Sequence, residues 1–117
     1  MGQPVVHFEV HTQHSKALRS FYAELFGWKL AVVPDGSYAL VDPDTAGVGI
    51  RGGIAQSGAG AAGVMFYIQV PDIQAHLERI QAAGGSVLVK RIESPQVTTA
   101  MFSDPDGNRV GLTEARP

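Results

Sequence analysis

The 117-residue chain is 44% hydrophobic and 17% charged, a globular balance rather than a disordered one. Its formal net charge of −2 and its scattered Lys and Arg argue against a nucleic-acid surface built on basic charge. The absence of cysteine excludes disulfides, thiol catalysis and Cys-based zinc or iron–sulfur sites. No apolar run is long enough to span a bilayer, and Met1-Gly2-Gln3-Pro4 lacks the basic and apolar regions of a signal peptide. These features predict one soluble, cytoplasmic domain with neither a nucleic-acid nor a membrane partner.

In chain order, Val5 to His11 alternates apolar and polar residues, the period of a strand with one face on a core. Leu18, Phe21, Tyr22 and Leu25 recur at helical spacing before Gly27, which predicts a helix over 14–26. Strands are predicted over 28–33, 37–41 and 48–54, separated by turns at Pro34-Asp35-Gly36 and Asp42-Pro43-Asp44. The Gly- and Ala-rich stretch from Gly52 to Gly63 reads as a flexible connection. A strand over 64–70 follows. Asp72 then caps a helix carrying Ile73, Leu77 and Ile80, which ends at Gly84-Gly85. Strands over 87–92, 97–103 and 109–114 complete the chain, with Asp104-Pro105-Asp106-Gly107 as the last turn.

The pattern restarts, which marks an internal repeat. Phe8 matches Phe66, Val10 matches Ile68 and Gly27 matches Gly85, each 58 residues on. Later the offset reads as 62: Asp42-Pro43-Asp44 against Asp104-Pro105-Asp106, and Val48-Gly49-Ile50 against Val110-Gly111-Leu112, implying a four-residue insertion. Two strand–helix–three-strand modules are thus predicted, one over about 4–55 and one over about 64–115, joined by a linker over about 56–63.

Strand alternation assigns side chains to faces. Val6, Phe8 and Val10 face the first helix, which leaves His7, Glu9 and His11 together on the other face. Phe66, Ile68 and Val70 face the second helix, which leaves Met65, Tyr67 and Gln69 opposite. Gly49 and Arg51, and Arg109, Gly111 and Thr113, fall on those same second faces. Polar residues on one side of an antiparallel sheet often merely meet water. In a duplicated module they can instead line a binding site.

His7, Phe21-Tyr22, Phe26-Gly27-Trp28 and Asp104-Pro105-Asp106-Gly107-Asn108 together resemble the vicinal oxygen chelate superfamily, the group of glyoxalase I, bleomycin-resistance proteins, fosfomycin-resistance enzymes and extradiol dioxygenases. The resemblance spans nearly the whole chain. It implies an α+β fold in which two βαβββ modules form a curved mixed sheet around a cavity, and a homodimer. In active members it also implies a divalent metal held by His and Glu from the first and last strand of each module, acting as a Lewis acid.

Carried over residue by residue, the four ligand positions are His7, Gly49, Met65 and Gly111. One imidazole survives. A thioether suits softer metals and glycine offers no side chain, so no metal cofactor is expected. A divalent ion held through a relocated His7-x-Glu9-x-His11 set is the alternative. His14, at a helix start, and His76, on the second helix, read as local structure and surface.

Three functions follow as expectations. One is a metal-free protein that binds a small organic molecule through His7, Glu9, Arg51, Met65, Tyr67 and Gln69. Another is a glyoxalase-like lyase or isomerase, or a dioxygenase, with relocated ligands or with acid–base chemistry by His7 and Glu9. Arg51 and Arg109 could receive an anionic group. A small accessory protein acting through its dimer surface is the third. No Gly-x-Ser-x-Gly elbow or phosphate-binding Gly-x-x-x-x-Gly-Lys occurs, and Gly58-Ala59-Gly60 reads as linker.

Overall fold

The structure, a computed structural model, describes residues 2–42, 47–57 and 63–115. It runs β1 (Val5–Thr12), α1 (Ser15–Phe26), β2 (Leu30–Val32), β3 (Tyr38–Val41), β4 (Arg51–Gln56), β5 (Gly63–Val70), α2 (Ile73–Ala82), β6 (Ser86–Glu93), β7 (Thr98–Ser103) and β8 (Arg109–Glu114). This is the predicted α+β arrangement of two βαβββ modules. The chain divides into two compact units, His7–Val64 and the residues from Met65 onward taken with those up to Val6.

In the first unit the strand order is β2-β3-β4-β1, with β1 parallel to β4 and the other pairs antiparallel. Helix α1 ends because Gly27 adopts a left-handed conformation (φ 69°) and its N–H donates to the Ala23 carbonyl at 3.0 Å. The core joins buried Val10, Ala39, Val41 and Ile54 to Phe8, Leu18, Tyr22, Trp28 and Leu30. Tyr22 and Trp28 stack there with ring centroids 4.7 Å apart, whereas Phe21 and Phe26 of the same Phe-Tyr…Phe-Gly-Trp pattern are exposed rather than core.

The second unit repeats the plan as β5-β8-β7-β6, with β5 parallel to β8. Asp72 caps α2 by accepting from the Ala75 N–H at 3.0 Å. Its core is Val70, Ile73, Leu77, Ala100, Phe102, Val110 and Leu112, with Ile68, Ile80 and Val87 packed against it. Phe66, expected beneath the second helix, is instead 43% exposed. The Asp104 carboxyl is held below its usual range by the Asn108 side-chain amide, which donates to it at 2.8 Å, and by the Asn108 and Asp106 backbone N–H groups, which donate at 2.9 and 3.0 Å and close the turn.

The registers correct one sequence expectation. Val10 pairs with Ile54, and Ile68 pairs with Leu112. From β4 to β8 the offset is therefore 112 − 54 = 58, not 62. Ala39 pairs with Ile54 and Ala100 with Leu112, so from β3 to β7 it is 100 − 39 = 61. The extra residues precede β7 and are lost again between β7 and β8. Val48-Gly49-Ile50 lies before β4, and the true counterpart of Val110-Gly111-Leu112 is Gly52-Gly53-Ile54. The Gly-rich composition of 52–56 misled the linker assignment, since Gly52 to Gln56 belong to β4. Gly58-Ala59-Gly60 and Pro43-Asp44 lie outside the described residues.

Candidate functional site on the polar face of the first module

Alternation along β1 places Phe8 and Val10 in the core and leaves His7, Glu9 and His11 on the opposite face. These three are joined by a residue absent from the sequence candidates. The Tyr38 hydroxyl lies 2.9 Å from His7 Nε2 and donates to Glu9 Oε2 at 2.8 Å. Glu9 Oε1 lies 2.8 Å from His11 Nε2. That approach is off the hydrogen-bond direction, and the buried His11 Nε2 has no hydrogen-bond partner among the described residues. It is a close polar contact rather than an aligned bond. His11 Nδ1 meets Ser57 Oγ at 2.8 Å. Glu9 is only 8% exposed, so a carboxylate there needs donors close by, and Tyr38 supplies one.

Gly53 makes this arrangement possible. It pairs with Glu9 across β1 and β4, and a Cβ built on it would overlap the Tyr38 ring. The ring lies over Gly53 and carries its hydroxyl to His7 and Glu9. Arg51 pairs with His7 and is exposed. Burial holds the His7 pKa below its ordinary value; Glu9 opposes this and Arg51 adds to it. His7 is therefore biased toward the neutral ring at neutral pH.

In the second module the same positions differ. Tyr67 stands where Glu9 stands, and it pairs with Gly111. A Cβ built on Gly111 would overlap the Tyr67 ring. Met65 is buried at 2% exposure, while Tyr67 and Gln69 are half-buried. Arg109 is exposed and pairs with Ser103. Glu114 caps α2 by accepting from the Ile73 N–H at 2.9 Å, and it also binds Arg91 at 2.9 Å. On α2, His76 places Nδ1 3.0 Å from the Asp72 carbonyl oxygen, a local contact.

The donor set implied by the resemblance does not fit these residues. With the register corrected, its last-strand positions are Gly53 and Gly111, and tyrosine rings occupy the space where a side chain would begin. Gly49 is not the counterpart of Gly111. His7 turns Nε2 toward the Tyr38 hydroxyl. Among the described residues no group of three or more His, Asp or Glu side chains is placed to hold a metal ion. The relocated His-x-Glu-x-His set is interrupted by Tyr38, which sits between His7 and Glu9.

Tyr38 could have been found in the sequence. Ala39 and Val41 are the buried residues of β3, so strand alternation alone puts Tyr38 on the polar face. Its reach over Gly53 required the β4 register, which the misread offset concealed. Ser57 was assigned to the linker and was missed for the same reason.

The family model for the Glyoxalase/Bleomycin resistance protein/Dioxygenase superfamily matches residues 5–112. Among solved structures, a member of that superfamily from Vibrio splendidus 12B01 is similar at TM-score 0.66 and 22% identity, covering 97% of this chain and 100% of that one. A hypothetical protein from Bacillus halodurans C-125 is similar at TM-score 0.68 and 13% identity, over 100% and 97%. Methylmalonyl-CoA epimerase from Mycobacterium tuberculosis is similar at TM-score 0.66 and 14% identity, over 97% and 88%. At these identities the structural likeness carries the fold alone. No curated protein matches the chain. Among the described residues no helix is long and apolar enough to cross a membrane.

Proposed function

Since the chain belongs to the glyoxalase/bleomycin resistance protein/dioxygenase superfamily, we propose that it binds a small organic molecule without the divalent metal of the active relatives. The observation that carries this reading is the pairing of glycine with tyrosine at both last-strand ligand positions, Gly53 under Tyr38 and Gly111 under Tyr67. The candidate ligand contacts on the first module are His7, Glu9 and Arg51; those on the second, taken by itself, are Met65, Tyr67 and Gln69. Few convergent polar groups beside apolar surface are what such sites use. We further propose a cytoplasmic homodimer with no resident cofactor. Sedimentation analysis at several concentrations tests the dimer.

Metal analysis of protein purified without chelators tests the function. The reading predicts no stoichiometric divalent ion. A stoichiometric ion that is lost on His7→Ala contradicts it.

A second reading has its own support. His7, biased toward the neutral ring by burial, is joined through Tyr38 to Glu9. That pairing suits acid–base chemistry in a lyase, isomerase or dioxygenase of this superfamily. It predicts turnover of a dicarbonyl, thiol-adduct or catechol substrate that His7→Ala abolishes. No turnover across such a panel, with and without added divalent ions, counts against it.

A further inference from the structure

We propose that Tyr38 is a positioning residue that fixes the tautomer of His7, with the proton on Nε2 and the lone pair on Nδ1. A carboxylate only accepts, so the single hydroxyl proton of Tyr38 goes to Glu9 Oε2 at 2.8 Å. The phenolic oxygen can then only accept in its other contact, with His7 Nε2 at 2.9 Å. Nε2 must carry the hydrogen. The reverse order, with Tyr38 donating to His7, would set two acceptor oxygens 2.8 Å apart beside a carboxylate that is 8% exposed.

Two consequences follow. The nitrogen that faces Tyr38 is closed to a metal while it holds its proton. Any proton that His7 takes up in chemistry on this face enters at Nδ1. The alignment depends on Gly53, because a Cβ there would displace the ring that carries the hydroxyl. The inference rests on the metal-free reading above, since an ion bound at Nε2 would replace that proton.

Nitrogen-15 long-range correlation spectra of His7 in the full chain, recorded where the ring is neutral, decide the matter. The wild type should show a single Nε2–H tautomer. Tyr38→Phe keeps the ring and removes the hydroxyl, while Gly53→Ala keeps the hydroxyl and moves the ring. Both should give a mixture of tautomers, with backbone amide spectra reporting the retained fold. An Nδ1–H tautomer in the wild type overturns the inference. So does a single Nε2–H tautomer that persists in both variants. Zinc ion added to the wild type separates the two claims. Stoichiometric binding at His7 contradicts the metal-free reading, whereas the zinc-free spectra alone decide the tautomer.

Discussion

The two modules share one backbone plan and differ in what their polar faces carry. The first sets His7, Glu9 and His11 along β1 and closes them with Tyr38 from β3. The second sets Met65, Tyr67 and Gln69 along β5, with the aromatic ring on that strand itself. Each covers a last-strand glycine with a tyrosine, and in the first the tyrosine hydroxyl meets His7 and Glu9. Both modules keep a core of the same plan, while the His7–Tyr38–Glu9 network belongs to the first.

The comparison breaks first if the cores are unequal. Ile54 and Leu112 are equivalent residues, 0% and 2% exposed. Truncating either to alanine should cost about 2–5 kcal/mol in urea unfolding. A large loss at one and a negligible loss at the other would show that the modules are not matched in packing. The glycines come next. Gly53→Ala and Gly111→Ala should each cost roughly 1–3 kcal/mol, the scale of an overpacked core, because a ring occupies the Cβ position. An unchanged melting temperature for either would remove that ring from its assigned place.

The helix starts sharpen the contrast. Asp72→Ala should lose about 1 kcal/mol with its cap bond. His14→Ala should stay within about 0.5 kcal/mol, since His14 makes no side-chain cap bond. The smallest effect is on pH dependence. Folding lowers the His7 pKa, so the folded state favours the neutral ring. The stability this gives is present above the ordinary value of 6.5 and is lost as pH falls from there through the folded pKa. Wild type should lose more stability than His7→Gln across that interval. Parallel curves of melting temperature against pH would deny His7 that role.

Much of this was legible from residue order. Alternation along β1 and β5, the helical spacing before Gly27 and the Asp72 cap are local signals, and they located every element to within a few residues. The β4 start and the Gly49 ligand position were misread, because a short motif match between Val48-Gly49-Ile50 and Val110-Gly111-Leu112 outweighed the strand register. Register is set by pairing across the sheet, and glycines at 52 and 53 carry little side-chain pattern from which to read it. The network itself was not legible. Tyr38 is 29 residues from Glu9 and 31 from His7, and only tertiary structure brings its hydroxyl between them.

The central claim is that a tyrosine ring, not an acidic side chain, fills the last-strand position of the first module. A double-mutant cycle on Gly53→Ala and Tyr38→Ala tests it most directly. The account predicts that the cost of Gly53→Ala largely disappears once the Tyr38 ring is removed, giving a coupling energy of about 0.5–3 kcal/mol. Additive costs, with Gly53→Ala as damaging in the Tyr38→Ala background as in the wild type, would contradict it.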